Sequence, residues 1–180
     1  MYFKFSILIV LVVGLFLSSC SLDGESNYTP DMSLLASPKN QKGDSLRIYL
    51  TATADQYLMD TIQVGDTVSF ALLVNAYTNN VTAFYLTQSA DSVSRIATAN
   101  KQSMDSVFLE TSDYKTGKYF CKSGIPAFVF PFKYIARVAS KTAEIGFVVT
   151  SDAKFESGFG GSNSSSFKIK TPIKNKIVIN

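Results

Sequence analysis

The chain is 180 residues long and carries 17 lysines and arginines against 14 aspartates and glutamates, a formal charge of +3. That excess is too small and too evenly spread to point to nucleic acid or to an electrostatic membrane patch. Histidine and tryptophan are both absent, which removes Ser-His-Asp and Cys-His catalytic sets, the commonest zinc ligand, and the strongest platform for stacking sugars or bases.

At the start of the chain, Lys4 supplies a positive n-region. An apolar run from Phe5 to Leu17 follows, interrupted only by Ser6 and Gly14. This is a secretory signal layout, too short to span a bilayer comfortably. The next residues, Leu17-Ser18-Ser19-Cys20, resemble the lipobox of bacterial lipoproteins. The resemblance implies cleavage before Cys20, acylation of its sulfur with chains such as palmitate, and a lipid-anchored place on the periplasmic or outer face of an outer membrane. The remaining chain of about 160 residues suits one domain, or one domain with a tether. It is long enough to bury roughly 68–70% of its unfolded surface without staples.

From Ser21 to about Gly43 the sequence is polar and turn-rich, with Gly24, Pro30, Pro38 and Gly43, and no period of 2 or 3.6 persists. It reads as a flexible tether. Asp23 and Glu25 resemble, in spaced form, the acidic export signal of surface lipoproteins in the Bacteroidetes. The expected organisation is therefore a signal over 1–19, a lipid anchor and tether over 20–43, and a β-domain over 44–180.

After Gly43 the pattern turns to strands. Leu46, Ile48 and Leu50 alternate with Arg47, Tyr49 and Thr51, and Val68, Phe70, Leu72 and Val74 alternate with small or apolar neighbours. Tyr77-Thr78-Asn79-Asn80 makes a turn, and Val81 to Gln88 another strand. The stretch Ser89 to Ser106 offers at most a helical turn. Further strands are expected over Val107–Glu110, Tyr119–Cys121, Phe128–Val138, Ala143–Thr150, Ser166–Ile169 and Lys176–Ile179. Pro131 predicts that its run is bent or lies on a sheet edge. Eight to nine short strands with close turns predict an all-β chain, an antiparallel β-sandwich of immunoglobulin-like type without the Cys-Trp-Cys core.

With Cys20 assigned to lipid, Cys121 stands alone in an aromatic run and reads as a small buried hydrophobe. Ser112-Asp113-Tyr114-Lys115 and Lys115-Thr116-Gly117 match S-x-x-K and K-T-G of penicillin-recognising enzymes, but overlap on one lysine where those enzymes need two. The segment reads as a turn. Asp60 with Asp66, and Asp152 with Glu156, lack calcium-loop spacing and read as turn carboxylates. Gly158 to Ser166 reads as a loop between the last strands, with Phe159 as its natural anchor. Tyr77, Tyr114 and Phe159 are the candidate ligand-facing residues, and their clustering at one end would favour ligand binding. No cofactor, metal or catalytic set is expected.

One pattern exceeds chance. Asp, then Ser or Thr, then an aliphatic occurs at Asp44, Asp60, Asp66, Asp91 and Asp105, against about 0.7 instances expected from composition. The form resembles an O-glycosylation sequon of exported Bacteroidetes proteins, which implies Ser45, Thr61, Thr67, Ser92 and Ser106 as acceptors. It also suits an Asp that ends a turn before a strand whose next residue points inward. The chain as a whole resembles a Bacteroidetes-type lipoprotein with an immunoglobulin-like domain. That implies a non-catalytic binding or interaction module at the cell envelope, with a glycan or protein partner and no nucleic acid. The alternatives are a structural subunit of a surface complex, assembled through a free edge near Lys176–Asn180, and a carboxylate-based hydrolase.

Overall fold

A computed structural model describes residues 27–51, 56–99, 101–155 and 160–176. In chain order the strands are β1 (Asp31–Leu34), β2 (Lys39–Asn40), β3 (Ile48–Leu50), β4 (Gln56–Met59), β5 (Ile62–Gln63), β6 (Thr67–Asn75), β7 (Val81–Gln88) and β8 (Ser94–Thr98). A single helical turn, α1 (Lys101–Met104), precedes β9 (Lys118–Phe120), β10 (Ala127–Ala136), β11 (Glu144–Ser151), β12 (Ser164–Lys170) and β13 (Ile173–Lys174).

One sheet has the order β1-β6-β10-β8, with β2 continuing β1 along the edge of β6. The other has the order β3-β4-β12-β11-β7-β9. Lettering β1, β6, β7, β8, β10, β11 and β12 as A to G gives A-B-E-D in the first sheet and C-F-G in the second, the strand order of an immunoglobulin-like sandwich. Two additions modify it: β9 lies against the free side of β7, and β4 lies against β12. The ladders are mostly antiparallel, but β4 with β12 and β5 with β13 are parallel. The expected antiparallel sandwich is the observed fold, with these two short parallel pairings added to it.

Period-2 alternation explains the long strands. β6 buries Val68, Phe70, Leu72 and Val74, and β10 buries Phe128, Phe130, Phe132 and Tyr134. Their rings meet both neighbours in the same sheet and rings of the facing sheet. Phe70 stacks on Phe132 at 4.8 Å, Phe130 meets Phe84 at 4.9 Å, and Phe147 meets Phe132 at 5.8 Å and Phe167 at 4.8 Å. Aromatic contacts therefore fill the place of the missing Cys-Trp-Cys core. The buried hydroxyl of Tyr134 accepts from the Thr171 hydroxyl at 2.9 Å.

Pro131 does not sit on an edge strand. β10 is paired on both sides, with Pro131 opposite Ala71 of β6. The Ala71 carbonyl accepts from Leu35 on the far side, so Ala71 and Pro131 form a non-hydrogen-bonded pair and the missing proline N–H points towards β8. The β8 ladder starts one residue later, at Phe132 opposite Thr98. No ladder bond is lost, which is how a proline enters this central strand.

The tether is also shorter than its sequence suggests. β1 and β2 pair with β6, and Met32 is 6% exposed, so the folded body begins near Asn27 and not at Gly43. A four-residue strand between prolines is too short to display a period. β8 lies inside the serine-rich stretch expected to hold only a helical turn, and of Val107–Glu110 only Phe108 pairs, in a bridge to Cys121. Leu50, expected inward, is 55% exposed because β3 is the outermost strand of its sheet. The strand expected over Lys176–Ile179 lies outside the described residues except for Lys176, which belongs to no strand.

Replacing Phe130, fully buried at the centre of the rings, is expected to cost about 3–5 kcal/mol as Phe130→Ala. The exposed Phe120→Ala is expected to cost well under that. Urea unfolding of the two variants against the parent chain measures both.

Candidate functional site

The chain enters the sandwich at the end that holds the β6–β7 turn. There the Lys154 N–H donates to Asn27 Oδ1 at 3.3 Å and the Ser162 N–H donates to Thr29 Oγ1 at 3.0 Å. Tyr28 packs on Tyr77 with ring centres 5.4 Å apart, and both rings are about half exposed. Tyr77 holds a positive φ of 59°, with its N–H donating to Asn75 Oδ1. Asp152 ties the next loop to this turn, accepting from the Asn80 N–H at 2.7 Å and Asn80 Nδ2 at 2.8 Å. Those bonds hold its carboxyl below the usual range.

Tyr114 is elsewhere. It lies in the loop before β9, whose Gly117 carbonyl accepts from the Leu86 N–H near the far end of β7. The eight residues of β7 separate it from Tyr77 by about 20 Å at ~3.3 Å per residue. Tyr77 and Tyr114 therefore do not share one end, because the two loops lie near opposite ends of the same strand. Phe159, Glu156 and Cys20 lie outside the described residues.

Around Tyr114 the structure forms a cleft of about 370 Å³ between β8 at the edge of one sheet and β7 and β9 of the other. Leu86 and Ile96 give it apolar walls, and Gln88, Asp91, Thr98 and Tyr119 bring polar groups into it. Its rim is the Asp113–Gly117 turn. Asp113 Oδ1 accepts from the Lys115 N–H at 2.9 Å, and Asp113 Oδ2 accepts from the Thr116 hydroxyl at 2.7 Å. The K-T-G match is thus a rim turn, and the Ser112 hydroxyl is engaged with the backbone of Phe120, from whose N–H it accepts at 2.9 Å. Gly117 has φ +69°, and a side chain there would meet the Leu86 carbonyl at 2.1 Å.

Tyr119 is fully buried, with its ring against Tyr114, Phe108 and Phe130 at 4.9–5.1 Å. Burial pushes its phenol up to about 12, partly offset by a weak interaction with the Thr98 hydroxyl that falls short of hydrogen-bond geometry, so the O–H stays protonated. Among the described residues, four buried side-chain polar atoms have no hydrogen-bond partner within the protein: Asn79 Nδ2, Gln88 Oε1, Ser94 Oγ and Tyr119 Oη. Two of them, Gln88 Oε1 and Tyr119 Oη, belong to residues lining this one cleft. An unsatisfied buried group costs about 1–3 kcal/mol, so their coincidence marks the cleft.

A second cleft of about 350 Å³ opens on the opposite flank, between the β1–β2 edge and β4 and β12, lined by Met32, Pro38, Ile48, Tyr57, Phe167 and Ile169. It is apolar, and none of those four unpartnered atoms belongs to a residue lining it. Sequence reading missed Gln88, Thr98 and Tyr119. Tyr119 sits in a strand-like aromatic run, and nothing in that pattern signals that its hydroxyl is left over.

The remaining candidates are dispersed. Asp60 accepts from the Arg47 N–H at 2.8 Å, and Asp66 from the Gln63 N–H at 2.8 Å. Each is committed to its own turn. No group of three or more Cys, Asp or Glu side chains that could hold a metal occurs among the described residues. Cys121 is buried, and burial pushes its thiol up to about 12. Ser45, Thr61, Ser92 and Ser106 are exposed, and Thr67 is half-buried with its N–H donating to Gln41 Oε1. In all five triplets the aliphatic residue packs on the core.

No family model matches the chain, and no curated protein matches it. Among solved structures it is similar to domains 4 and 5 of the S-layer protein SbsC, at 7% identity and a TM-score of 0.31. That likeness covers 79% of this chain but 47% of the S-layer chain, so this chain spans about half of that fragment's length. It is also similar to AvmM, described as catalysing macrocyclisation in alchivemycin A biosynthesis, at 12% identity and a TM-score of 0.29 over 75% of this chain and 96% of that one.

The rim turn carries a pH dependence. The Thr116 hydroxyl, then the Thr116 and Lys115 N–H groups, hold the Asp113 carboxyl below its ordinary 3.8. A lowered native pKa gives stabilisation that is complete above the unfolded value and lost as pH falls through the native one. Amide exchange at Lys115 and Thr116 is therefore expected to gain no protection above pH 5 and to lose it below about pH 3.8. Asp113→Asn should remove that dependence.

Proposed function

We propose that this chain is a non-catalytic binding module, held at the outer membrane through a lipidated Cys20 and presenting the β7–β8–β9 cleft away from the bilayer. The observation that carries the reading is the pair of unpartnered buried polar groups in a cleft on the half of the sandwich remote from the chain's entry. Six residues, 21–26, separate Cys20 from Asn27, and extended chain spans at most about 3.6 Å per residue. A lipid on Cys20 would hold the entry end, with Tyr28 and Tyr77, within about 25 Å of the membrane. Aromatic side chains suit that interface.

Two results test the reading. Full-length protein should fractionate with the outer membrane and Cys20→Ala should release it; retention of the variant would remove the anchor. In thermal-shift assays, a panel of sugars, amino acids, nucleosides and fatty acids should contain at least one stabilising ligand. A panel silent throughout would overturn the binding role.

A second reading, assembly through a sheet edge, is favoured by β3, the outermost strand of its sheet, where Tyr49 and Leu50 are 49% and 55% exposed. A concentration-dependent dimer that Leu50→Lys dissolves would support it.

The four exposed triplet hydroxyls are also proposed as glycan acceptors, supported by their accessibility. Intact mass of protein from its native host should exceed that of the lipidated polypeptide, and a mass equal to it would refute the assignment.

A further inference from the structure

We infer that the β7–β8–β9 cleft takes a small, neutral, polyhydroxylated ligand such as a single sugar ring, gripped by the Tyr119 hydroxyl and the Gln88 amide oxygen. This deepens the binding-module reading and rests on it.

The two unpartnered groups have complementary needs. Gln88 Oε1 is an acceptor only, and Tyr119 Oη carries a proton to donate. The orientation of the Gln88 amide is fixed, because its Nε2 donates to Asp91 Oδ1 at 2.6 Å. A flipped amide would set its oxygen against that carboxylate. A ligand must therefore offer an acceptor to Tyr119 and a donor to Gln88. A ligand with several hydroxyls carries both kinds of group.

Charge and size narrow the class. Asp91 and Lys115 both line the cleft, so its lining carries no net formal charge and favours an ion of neither sign. Leu86, Ile96 and the Tyr114 ring supply apolar surface for the C–H face of a ring. The volume of about 370 Å³ lies at the low end of the ~300–1,000 Å³ usual for ligand sites. It accommodates a ligand the size of one sugar ring. Burial keeps the phenol a donor at any physiological pH.

Saturation-transfer NMR on the full chain in detergent micelles tests this, with glucose, galactose, mannose, N-acetylglucosamine and myo-inositol as probes and acetate, ethanolamine and hexane-1-ol as contrasts. At least one polyol is expected to give a saturable signal that the contrasts do not displace. Tyr119→Phe removes only the unpartnered hydroxyl, so it should weaken that binding about tenfold, the loss of one hydrogen bond, while leaving the melting temperature of the free protein unchanged or raised. A melting temperature lowered by Tyr119→Phe would mean that the phenol serves the free fold through a bridging water, and would overturn the inference. Undiminished polyol affinity in Tyr119→Phe would overturn it too. Preference for acetate, ethanolamine or hexanol would refute the ligand class and leave the binding module standing. Silence across both this set and the wider thermal-shift panel would remove both.

Discussion

Phe130 projects from the middle of β10 into the space between the sheets, where its ring meets Phe84 of β7, Tyr119 of β9, Phe132 of its own strand and Phe108 of the connecting segment. These five rings join both sheets and the excursion between β8 and β10. With one free cysteine among the described residues and no tryptophan in the chain, there is no covalent bridge or indole to fix the two sheets. Interdigitated phenylalanines do it by burial, at about 1.5–3 kcal/mol each, and by edge-to-face contacts. Because Tyr119 is one of these rings, its hydroxyl direction is set by the core. The ring cannot turn to find a partner without disturbing Phe108, Tyr114 and Phe130.

The two clefts follow from the same geometry. A sandwich is closed by side chains in its middle and open at its lateral edges, where the outer strands diverge. On the β1–β2 flank the chain jogs at Leu35–Pro38 and the edge is lined by apolar residues. On the β7–β8 flank the opening is spanned by β9 and its rim turn, which arrive after β8 in the chain and bring Tyr114, Lys115 and Thr116 beside Gln88 and Asp91. β9 is an addition to the immunoglobulin-like strand set. It converts an ordinary sheet edge into a walled, polar recess, and Gly117 permits the close approach of its turn to β7.

Much of the scaffold was legible in the residues. Val68 to Val74, Val81 to Gln88, Phe128 onward and Ala143 to Thr150 alternate cleanly and form the four long central strands. What escaped reading has physical causes. β1, β4 and β8 are four or five residues long, too brief for a period to emerge. The Pro131 rule failed because it concerns a hydrogen bond, and whether one is lost depends on which neighbour the residue faces and where that neighbour stops. The site was less legible still. Tyr114 was noticed for its motif and turned out to be a rim residue, but Tyr119 and Gln88 matter through what their polar atoms lack, a property of three-dimensional surroundings that no spacing encodes.

The position of those unpartnered atoms bears on why the recess persists. A small sandwich without disulfides has a net stability of ~5–15 kcal/mol, and two buried unsatisfied groups take a noticeable share of it at ~1–3 kcal/mol each. Elsewhere in the same interior the comparable group is paired, as Tyr134 is with Thr171, so the fold is able to satisfy a buried phenol. Phenylalanine at 119 would keep every ring contact and remove one deficit. A tyrosine there adds to the free protein only a weak contact with the Thr98 hydroxyl that phenylalanine would not supply. On the binding reading its hydroxyl gains a partner when a ligand enters the cleft, at the end of the sandwich opposite the contacts of Asn27 and Thr29.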